Sequence, residues 1–289
     1  MKTAIMTDTN SGITSEEAKE MGIFSLPMPV IIDDNVFFEG TDINQKEYFE
    51  ALTSGKDVKT SQPSPGDVLD MWDAIFEEGY DEIVYIPMSS GLSASCHAST
   101  MLSEEYDGKV QVADNHRISV TMRTSIIDAM KMAEKGMSAK EIKDRLEANA
   151  FNASIYLAVD TLEYLKKGGR VTAAAATVGT VLNIKPVLTI QGEKLDAFAK
   201  IRGMKKAQSK MLDALENDIN ERFKDYDKSR MMIGVAAFVE DASEAKEWKK
   251  AVEERFSDVK DIYYDDLSFS VGCHVGPGTL GVAVSIMDE

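Results

Sequence analysis

The chain has 289 residues, with 49 acidic and 32 basic side chains and a formal charge of −17. This charge argues against a nucleic-acid groove and predicts at most transient contact with an anionic membrane, because both surfaces call for a basic face. The chain has only two cysteines, no 18-residue apolar run and no apolar leader at its start. These features predict a soluble protein of the reducing cytoplasm without a disulfide scaffold.

Strand and helix patterns alternate through the first half, which predicts a largely parallel sheet with helices on both faces. Capping residues start four of the helices, at Thr14, Asn44, Ser64 and Ser138. The predicted strands are 4–7, 24–32, 36–39, 83–86 and 110–113, and the predicted helices are 15–21, 45–54, 65–76, 91–106, 121–134 and 139–148.

The second half has a different pattern, which predicts an α+β unit with a mixed sheet. The predicted elements are strand 155–159, a short helix 162–167 capped by Asp160, a small-residue helix 172–182, a hairpin of 187–190 and 195–201, helix 204–223, strand 232–239, helix 243–256, and strands 261–264 and 282–286. The change near residues 149–153 predicts two domains, 1–151 and 152–289, and ligands favour such junctions.

Two hydroxyl-rich loops lead into helix N-termini, where free N–H groups suit an anion. The first runs from Lys59 to Gly66 and contains Thr60 and Ser61, and the second runs from Pro87 to Ser95 and contains Ser93. For any single serine, simple helix capping is as good an interpretation. Two such loops together favour a site for an anion or a polar headgroup.

Two basic clusters interrupt the acidic sequence. One is Lys166-Lys167-Gly168-Gly169-Arg170, at a predicted helix C-terminus, and the other surrounds Arg202 at a strand-to-helix junction. Cations at a helix C-terminus complement the helix dipole, which is the structural interpretation. In an acidic protein, these clusters also form a potential contact surface for a phosphate or an acidic partner.

The segment 272–281 is rich in glycine and contains His274. It matches GxGxxG formally, but too few residues follow it for the helix and strand of a dinucleotide site. We expect a glycine-rich loop beside a ligand, with His274 as a site candidate. Cys96-His97 and Cys273-His274 lack the spacing of a zinc site. Without a nucleophile elbow, a Walker loop or an HExxH helix, we expect no metal, no cofactor and no catalytic residue.

These loops, in this order, resemble the bacterial DegV family, and the resemblance covers essentially the whole chain. The motifs that carry it are TSQPSPG at 60–66, SSGLS at 89–93, EYLKKGGR at 163–170, NIKPVL at 183–188 and HVGPGTLG at 274–281, with Thr7-Asp8-Thr9 at the first strand end.

The resemblance implies two α/β domains with a long-chain fatty acid buried between them. It also implies a non-catalytic subunit of bacterial fatty acid kinase, whose separate catalytic subunit phosphorylates the bound acid for phospholipid synthesis. Thr60, Ser61 and Ser93 would then hold the carboxylate, with His274 beside it. Arg170 and Arg202 would line the portal or the face that docks the kinase.

Three alternatives come from other functional classes. The chain could be a free-standing enzyme that uses His274 on a small hydroxylated or phosphorylated substrate. The family's fold is also similar to that of the dihydroxyacetone kinase substrate-binding subunit, which suggests a related role for His274. The third alternative is a regulatory interaction module. The lack of a nucleotide-binding loop favours the lipid carrier.

Overall fold

The structure is a computed structural model that describes residues 2–177 and 183–288. Its first half alternates strands with helices, in agreement with the predicted α/β pattern. The elements are β1 (Thr3–Asp8), α1 (Ser15–Met21), β2 (Phe24–Leu26), β3 (Pro29–Ile32), β4 (Asn35–Phe38), α2 (Gln45–Thr53), β5 (Val58–Thr60), α3 (Pro65–Glu77), β6 (Glu82–Ile86), α4 (Ser95–Ser103), β7 (Val110–Val112), α5 (Ser119–Glu134) and α6 (Ala139–Ala148).

The described part of the second half forms a larger sheet with helices against it. Its elements are β8 (Ala153–Ala158), α7 (Glu163–Gly168), α8 (Ala173–Ala176), β9 (Ile184–Ile190), β10 (Asp196–Arg202), α9 (Met204–Asn217), β11 (Met231–Phe238), α10 (Ala242–Arg255), β12 (Asp261–Asp266), α11 (Phe269–Val275) and β13 (Thr279–Ile286). The predicted helix 172–182 is helical over Ala173–Ala176, and residues 178–182 lie outside the described part.

Three sheets organise these elements. The first contains four parallel strands in the order β2-β1-β6-β7, and the second is a small antiparallel sheet, β4-β3-β5. The third has the order β10-β9-β8-β13-β11-β12 and is antiparallel except for its β11–β12 pair. The predicted fold class, a parallel α/β unit followed by a mixed-sheet α+β unit, is confirmed.

Helix α5 lies between the two large sheets, packing against β1 on one side and against β11 and β13 on the other. Val120, in its first turn, occupies space that a side chain at Gly234 of β11 would need. One buried apolar cluster contains side chains from both halves, including Ile86 and Leu157. All strands of the six-stranded sheet follow residue 152, and the division into domains 1–151 and 152–289 stays a prediction.

Two predicted elements of the first half differ from the structure. The strand predicted over 24–32 is two strands in different sheets, because Pro27 has no N–H for the ladder and Met28 N donates to Thr9 Oγ1. Helix α4 begins at Ser95 rather than at residue 91. A tight turn precedes it, in which Gly91 N donates to Ser89 Oγ at 3.1 Å.

Two further differences concern the second half. Asp160 is not a helix cap: it forms an ion pair with Lys185, and Thr161 Oγ1 accepts the hydrogen bond from Glu163 N. The glycine-rich segment is not entirely a loop, because its first residues belong to α11, capped by Ser268. Gly272 fits inside this helix because the Phe238 ring lies where a Cβ atom would project. No helix in the described ranges has the length and apolar character needed to cross a membrane.

Candidate functional site

A cavity of about 200 Å³ lies between the carboxyl-terminal loops of the parallel sheet and one face of the six-stranded sheet. Strands β8, β9, β11 and β13 and helices α5 and α11 all contribute to its wall. Its apolar lining comprises Met28, Met88, Leu92, Ala94, Ile118, Val120, Ile155, Leu157, Ile190, Leu195, Ala236, Leu267, Val271, Val275, Gly281 and Val282. Such a wall binds hydrocarbon because burying apolar surface is favourable.

The hydroxyl-rich loops meet at this cavity. Thr60 ends β5, Ser61 follows it, and Ser93 lies in the loop after β6, and all three line the cavity. Ser89 shapes the second loop, since its buried hydroxyl donates to Gly192 O and its carbonyl accepts from Ser93 N. Ser93 Oγ accepts from Ser95 N at 3.2 Å, which leaves the hydroxyl proton of Ser93 for another acceptor.

His274 belongs to the last turn of α11, not to the loop that the sequence predicted. Its Nε2 lies 2.9 Å from Thr60 Oγ1. Burial, followed by the nearby charge of Arg170, lowers the pKa of His274 to about 4. The imidazole is therefore neutral at pH 7.

The two ring nitrogens of His274 have different surroundings. Nδ1 is buried and has no hydrogen-bond partner among the described residues, and it packs against Gly168. A buried N–H without an acceptor is less tolerated than a bare lone pair. We therefore assign the proton to Nε2, which donates to Thr60 Oγ1 and leaves the Thr60 hydroxyl proton for a ligand.

Arg170 completes the polar end of the cavity. Its guanidinium donates to Gly168 O at 2.6 Å and, through Nε, to Leu92 O at 3.2 Å. These contacts make a continuous series from Thr60 through His274, Gly168 and Arg170 to the residue preceding Ser93. The polar groups that the sequence singled out are thus neighbours. The rest of the cavity lining is apolar, apart from Gln62, Ser119 and Ser270.

Arg202 lies apart from this group. It is exposed, ends β10, and does not line the cavity. The hairpin turn beside Leu195 does reach the cavity, and about 20 Å of strand separates that turn from Arg202. The structure brings together Thr60, Ser61, Ser93, Arg170 and His274, and it does not bring Arg202 to them.

Sequence reasoning missed the contribution of Gly168 and most of the apolar wall. The two consecutive glycines at 168–169 were a signal in the sequence, because a single glycine is enough to end a helix. In the structure only Gly169 has the left-handed φ, 69°, that is typical of a helix end. Gly168 has a helical backbone, so a backbone angle does not explain the glycine at this position. The His274 imidazole explains it, because the ring occupies the space that a Cβ atom would need.

The described residues contain no group of three or more His, Cys, Asp or Glu side chains that could hold a metal ion. Cys96 and Cys273 are free and buried, and burial raises the pKa of both thiols. Such thiols are poor nucleophiles. The geometry suits a ligand with an apolar chain and one small anionic end.

The family model described as "Uncharacterised protein, DegV family" matches residues 2–286. A DegV domain-containing protein from Streptomyces coelicolor is 30% identical over 282 residues, with 98% of each chain covered. One from Deinococcus radiodurans is 29% identical over 287 residues, again with 98% of each chain covered.

Solved structures give the same result. A fatty-acid-binding DegV family protein from Thermus thermophilus superposes with a TM-score of 0.86 at 26% identity, covering 99% of this chain and 100% of that one. A lipid-binding DegV protein from Thermotoga maritima superposes with a TM-score of 0.83 at 25% identity, with both chains fully covered. By sequence and by fold, the chain belongs to the DegV family.

Proposed function

We propose that this protein binds a long-chain fatty acid in the cavity and presents its carboxylate to a separate kinase. Thr60, Ser61, Ser93 and His274 would surround the carboxylate. The product would be an acyl phosphate that feeds phospholipid synthesis in the cytoplasm. The protein itself would supply binding and no catalytic residue.

The observation that carries this proposal is a cavity with a mostly apolar lining that also contains the connected polar group of Thr60, His274 and Arg170. Burying a methylene group contributes about 0.8 kcal/mol, so a chain of ~15 gains about 12 kcal/mol before ordering costs. Those costs reduce the net affinity, but tight retention remains the expected outcome. Two DegV relatives at 25–26% identity, named as fatty-acid-binding and lipid-binding proteins, support this substrate class.

The polar end fits a carboxylate. The hydroxyl protons of Thr60 and Ser93 are available to an acceptor, and Arg170 supplies a positive charge beside them. Hydrogen bonds to an ionised group are stronger than neutral ones, and a buried carboxylate needs several. The neutral His274 adds no charge of its own but orients the Thr60 hydroxyl.

The proposed partner kinase would supply the nucleotide. A carboxylate oxygen would attack the terminal phosphorus of a nucleoside triphosphate, forming a P–O bond while the bond to the nucleoside diphosphate breaks. The sequence has no Walker motif for the nucleotide, so the second protein would hold it. Arg170 at the portal and Arg202 on the exposed surface are our candidates for the docking face.

One observation favours the alternative of a free-standing enzyme: Thr60 and His274 form a hydroxyl–imidazole pair. An activated hydroxyl nucleophile also needs a group that orients the imidazole. Here Nδ1 faces Gly168 and has no partner in the described part of the chain. The pair therefore suits ligand binding better than nucleophilic catalysis.

Native mass spectrometry of the purified protein tests the proposal. We expect a mass excess equal to one fatty acid, and uptake of added palmitate after the bound lipid is removed. A delipidated protein that stays folded and takes up no fatty acid would refute the proposal. Hydrolysis or another reaction of a small substrate, abolished by His274→Ala, would favour the enzyme instead.

A further inference from the structure

A buried hydroxyl group without a partner lies in the wall of the acyl cavity. Ser119 is the first residue of α5 and lines the cavity, as do its neighbours Ile118 and Val120. The residue is only 7% exposed, and its Oγ atom has no hydrogen-bond partner among the described residues. Most buried hydroxyl groups have a partner, because an unpaired one loses the hydrogen bonds that water gave it. A polar group of a ligand inside the cavity would supply the missing partner.

The start of α5 offers further donors at the same place. Ile118 precedes the helix and provides no side-chain cap, and the Thr121 hydroxyl donates to Ile118 O at 2.9 Å. The first N–H groups of a helix have no partner within the helix, and the positive end of the helix dipole lies beside them. The Ser119 hydroxyl and this helix terminus therefore both favour an oxygen atom of a ligand.

Ser119 lies beside one row of residues in the six-stranded sheet. The next residue, Val120, packs on Gly234 of β11. Gly234 pairs with Ala283, and Ala283 pairs with Ile155, so these three residues form a row across three neighbouring strands. Ile155 also lines the cavity. The row that contains Gly234 thus marks the position of the α5 terminus along the cavity.

The residues proposed for the carboxylate lie beside a different row. Phe238 pairs with Thr279, and Thr279 Oγ1 donates to Val275 O at 3.1 Å. His274 directly precedes Val275, so it belongs to the Phe238 row. Phe238 follows Gly234 by four residues of β11, which at about 3.3 Å per residue is roughly 13 Å. A fatty acid with its carboxylate beside His274 would therefore present the middle of its chain to the α5 terminus.

The surroundings of Ser119 favour a neutral oxygen over a second carboxylate. Arg170 is the one charged residue in the described part of the cavity lining, and it contacts the carbonyl of Gly168 beside His274. Arg117 does not line the cavity, and its guanidinium donates to two backbone carbonyls and a serine. A buried carboxylate without a cation is costly. A hydroxyl group carries no charge and can accept the hydrogen bond that Ser119 offers.

We propose that Ser119 and the first turn of α5 form a second polar subsite in the acyl cavity, which binds a hydroxyl group near the middle of a long-chain fatty acid. This inference rests on the proposed function and narrows its substrate class to hydroxylated acyl chains. The carboxylate stays beside Thr60, Ser93 and His274, and the mid-chain hydroxyl accepts a hydrogen bond from Ser119 Oγ. An unsubstituted chain leaves Ser119 without a partner.

Calorimetric titration of the delipidated full chain with stearate, 12-hydroxystearate and 2-hydroxystearate tests this subsite. We expect the wild type to bind 12-hydroxystearate within about threefold of stearate or more tightly, because both hydroxyl groups are then paired. Ser119→Ala should bind 12-hydroxystearate about tenfold more weakly, because the hydroxyl of the ligand is then buried without a partner. The same substitution should leave stearate affinity unchanged or raise it. The affinity for 2-hydroxystearate, whose hydroxyl lies next to the carboxylate, should respond as the stearate affinity does.

Thr121→Val is the matched control. It removes a hydroxyl group from the same turn of α5, but Thr121 does not line the acyl cavity, so all three affinities should change by the same factor. Ser119→Gly is the second variant should alanine prevent folding, because glycine adopts the φ of 54° at this position without strain. Thermal unfolding shows whether each variant is folded.

The ratio of the stearate and 12-hydroxystearate affinities decides the outcome. The subsite is wrong, and the fatty-acid proposal stands, if this ratio is the same in the wild type as in Ser119→Ala and Ser119→Gly. The same conclusion holds if Thr121→Val changes the ratio as much, or if the wild type prefers stearate by more than threefold. If the wild type binds none of the three acids, the proposed function itself fails.

Discussion

The imidazole of His274 packs so closely on Gly168 that a Cβ atom at position 168 would overlap Nδ1. The same glycine accepts a 2.6 Å hydrogen bond from Arg170 through its carbonyl oxygen. Gly168 thus sets the positions of two side chains at the polar end of the cavity. Its helical backbone is one that alanine adopts without strain, so substitution tests this contact directly.

We expect Gly168→Ala to displace His274, weaken fatty-acid binding about tenfold, and lower the free energy of unfolding by about 1–3 kcal/mol through overpacking. In a His274→Ala background the same substitution should have a much smaller effect. A thermodynamic cycle of the two single variants and the double variant measures this coupling.

Gly169→Ala is the control for that cycle. Position 169 has φ 69° but no atom within 4 Å of an added Cβ, so alanine there costs about 1–2 kcal/mol of backbone strain without touching His274. Its fatty-acid affinity should stay near that of the wild type. Equal costs of Gly168→Ala with and without the imidazole would contradict the packing explanation.

The hydroxyl groups give a second prediction. Thr60→Ala and Ser93→Ala should each weaken palmitate binding by roughly 1.5–3 kcal/mol, because each removes a hydrogen bond to a charged group. Isothermal titration calorimetry of the delipidated protein measures this affinity. Ser103→Ala is the control, since Ser103 does not line the cavity. Wild-type affinity in the Thr60→Ala/Ser93→Ala double variant would remove both residues from the site.

Both hydroxyl loops could be found from the sequence, because serine and threonine next to helix starts mark places where N–H groups are free. Their meeting in one cavity could not be predicted from periodicity. It depends on β5, a three-residue strand that pairs with β3 and brings Thr60 to His274. Short strands carry too few residues for a two-residue alternation to be recognised.

Helix α11 shows the opposite problem. Its sequence, FSVGCHV, contains a glycine and β-branched residues, which argue for a loop or a strand. Tertiary packing overrides that preference, since the Phe238 ring fills the space beside Gly272. The sequence singled out His274 as a site candidate, but the helix that carries it depends on the contact between Gly272 and Phe238, a residue 34 positions earlier in the chain.

The protonation of His274 is a third prediction. Its pKa of about 4 lies below the value of about 6.5 in the unfolded chain, so the fold disfavours the charged ring. The resulting stability is fully present above pH 6.5 and is lost as the pH falls from 6.5 towards 4. NMR titration, assigned by comparison with His274→Gln, should give a midpoint near 4. A midpoint above 6 would contradict the buried, neutral ring.

Glu39 should produce a pH dependence of the opposite sign. It accepts the hydrogen bond from Phe269 N at the start of α11, and burial raises its pKa to about 7. A carboxyl with a raised pKa stabilises the fold below its unfolded value of about 4.5, and that stability is lost as the pH rises through 7. Asp8, whose pKa is also raised by burial, to about 6, acts in the same direction.

We therefore expect Glu39→Gln to be more stable than the wild type at pH 8 by about 3 kcal/mol and nearly equal to it at pH 4.5. Urea unfolding at a series of pH values measures the difference. Because Asp8, Asp128, Asp265 and His274 are present in both proteins, their contributions largely cancel. A difference that does not vary with pH would mean that Glu39 titrates normally.

The two arginines should separate ligand retention from phosphorylation. Arg170→Ala removes a cation that lines the cavity, so we expect weaker fatty-acid retention and slower acyl-phosphate formation. Arg202 lies at an exposed strand end, so Arg202→Ala should leave fatty-acid retention unchanged. It should slow phosphorylation, and the effect should be larger at a low kinase concentration than at a high one. Wild-type phosphorylation rates for Arg202→Ala across a range of salt would remove that residue from the docking face.

Because the cavity wall is built from both the parallel-sheet loops and the six-stranded sheet, the proposed acyl ligand would act as a structural component of the core. A ligand that binds only the folded state raises the free energy of unfolding by RT ln(1 + [L]/Kd), about 4 kcal/mol at a thousandfold excess over Kd. The melting temperature of a preparation would then report how much lipid it had acquired. Proteolytic turnover of the empty protein would in the same way follow the supply of acyl chains.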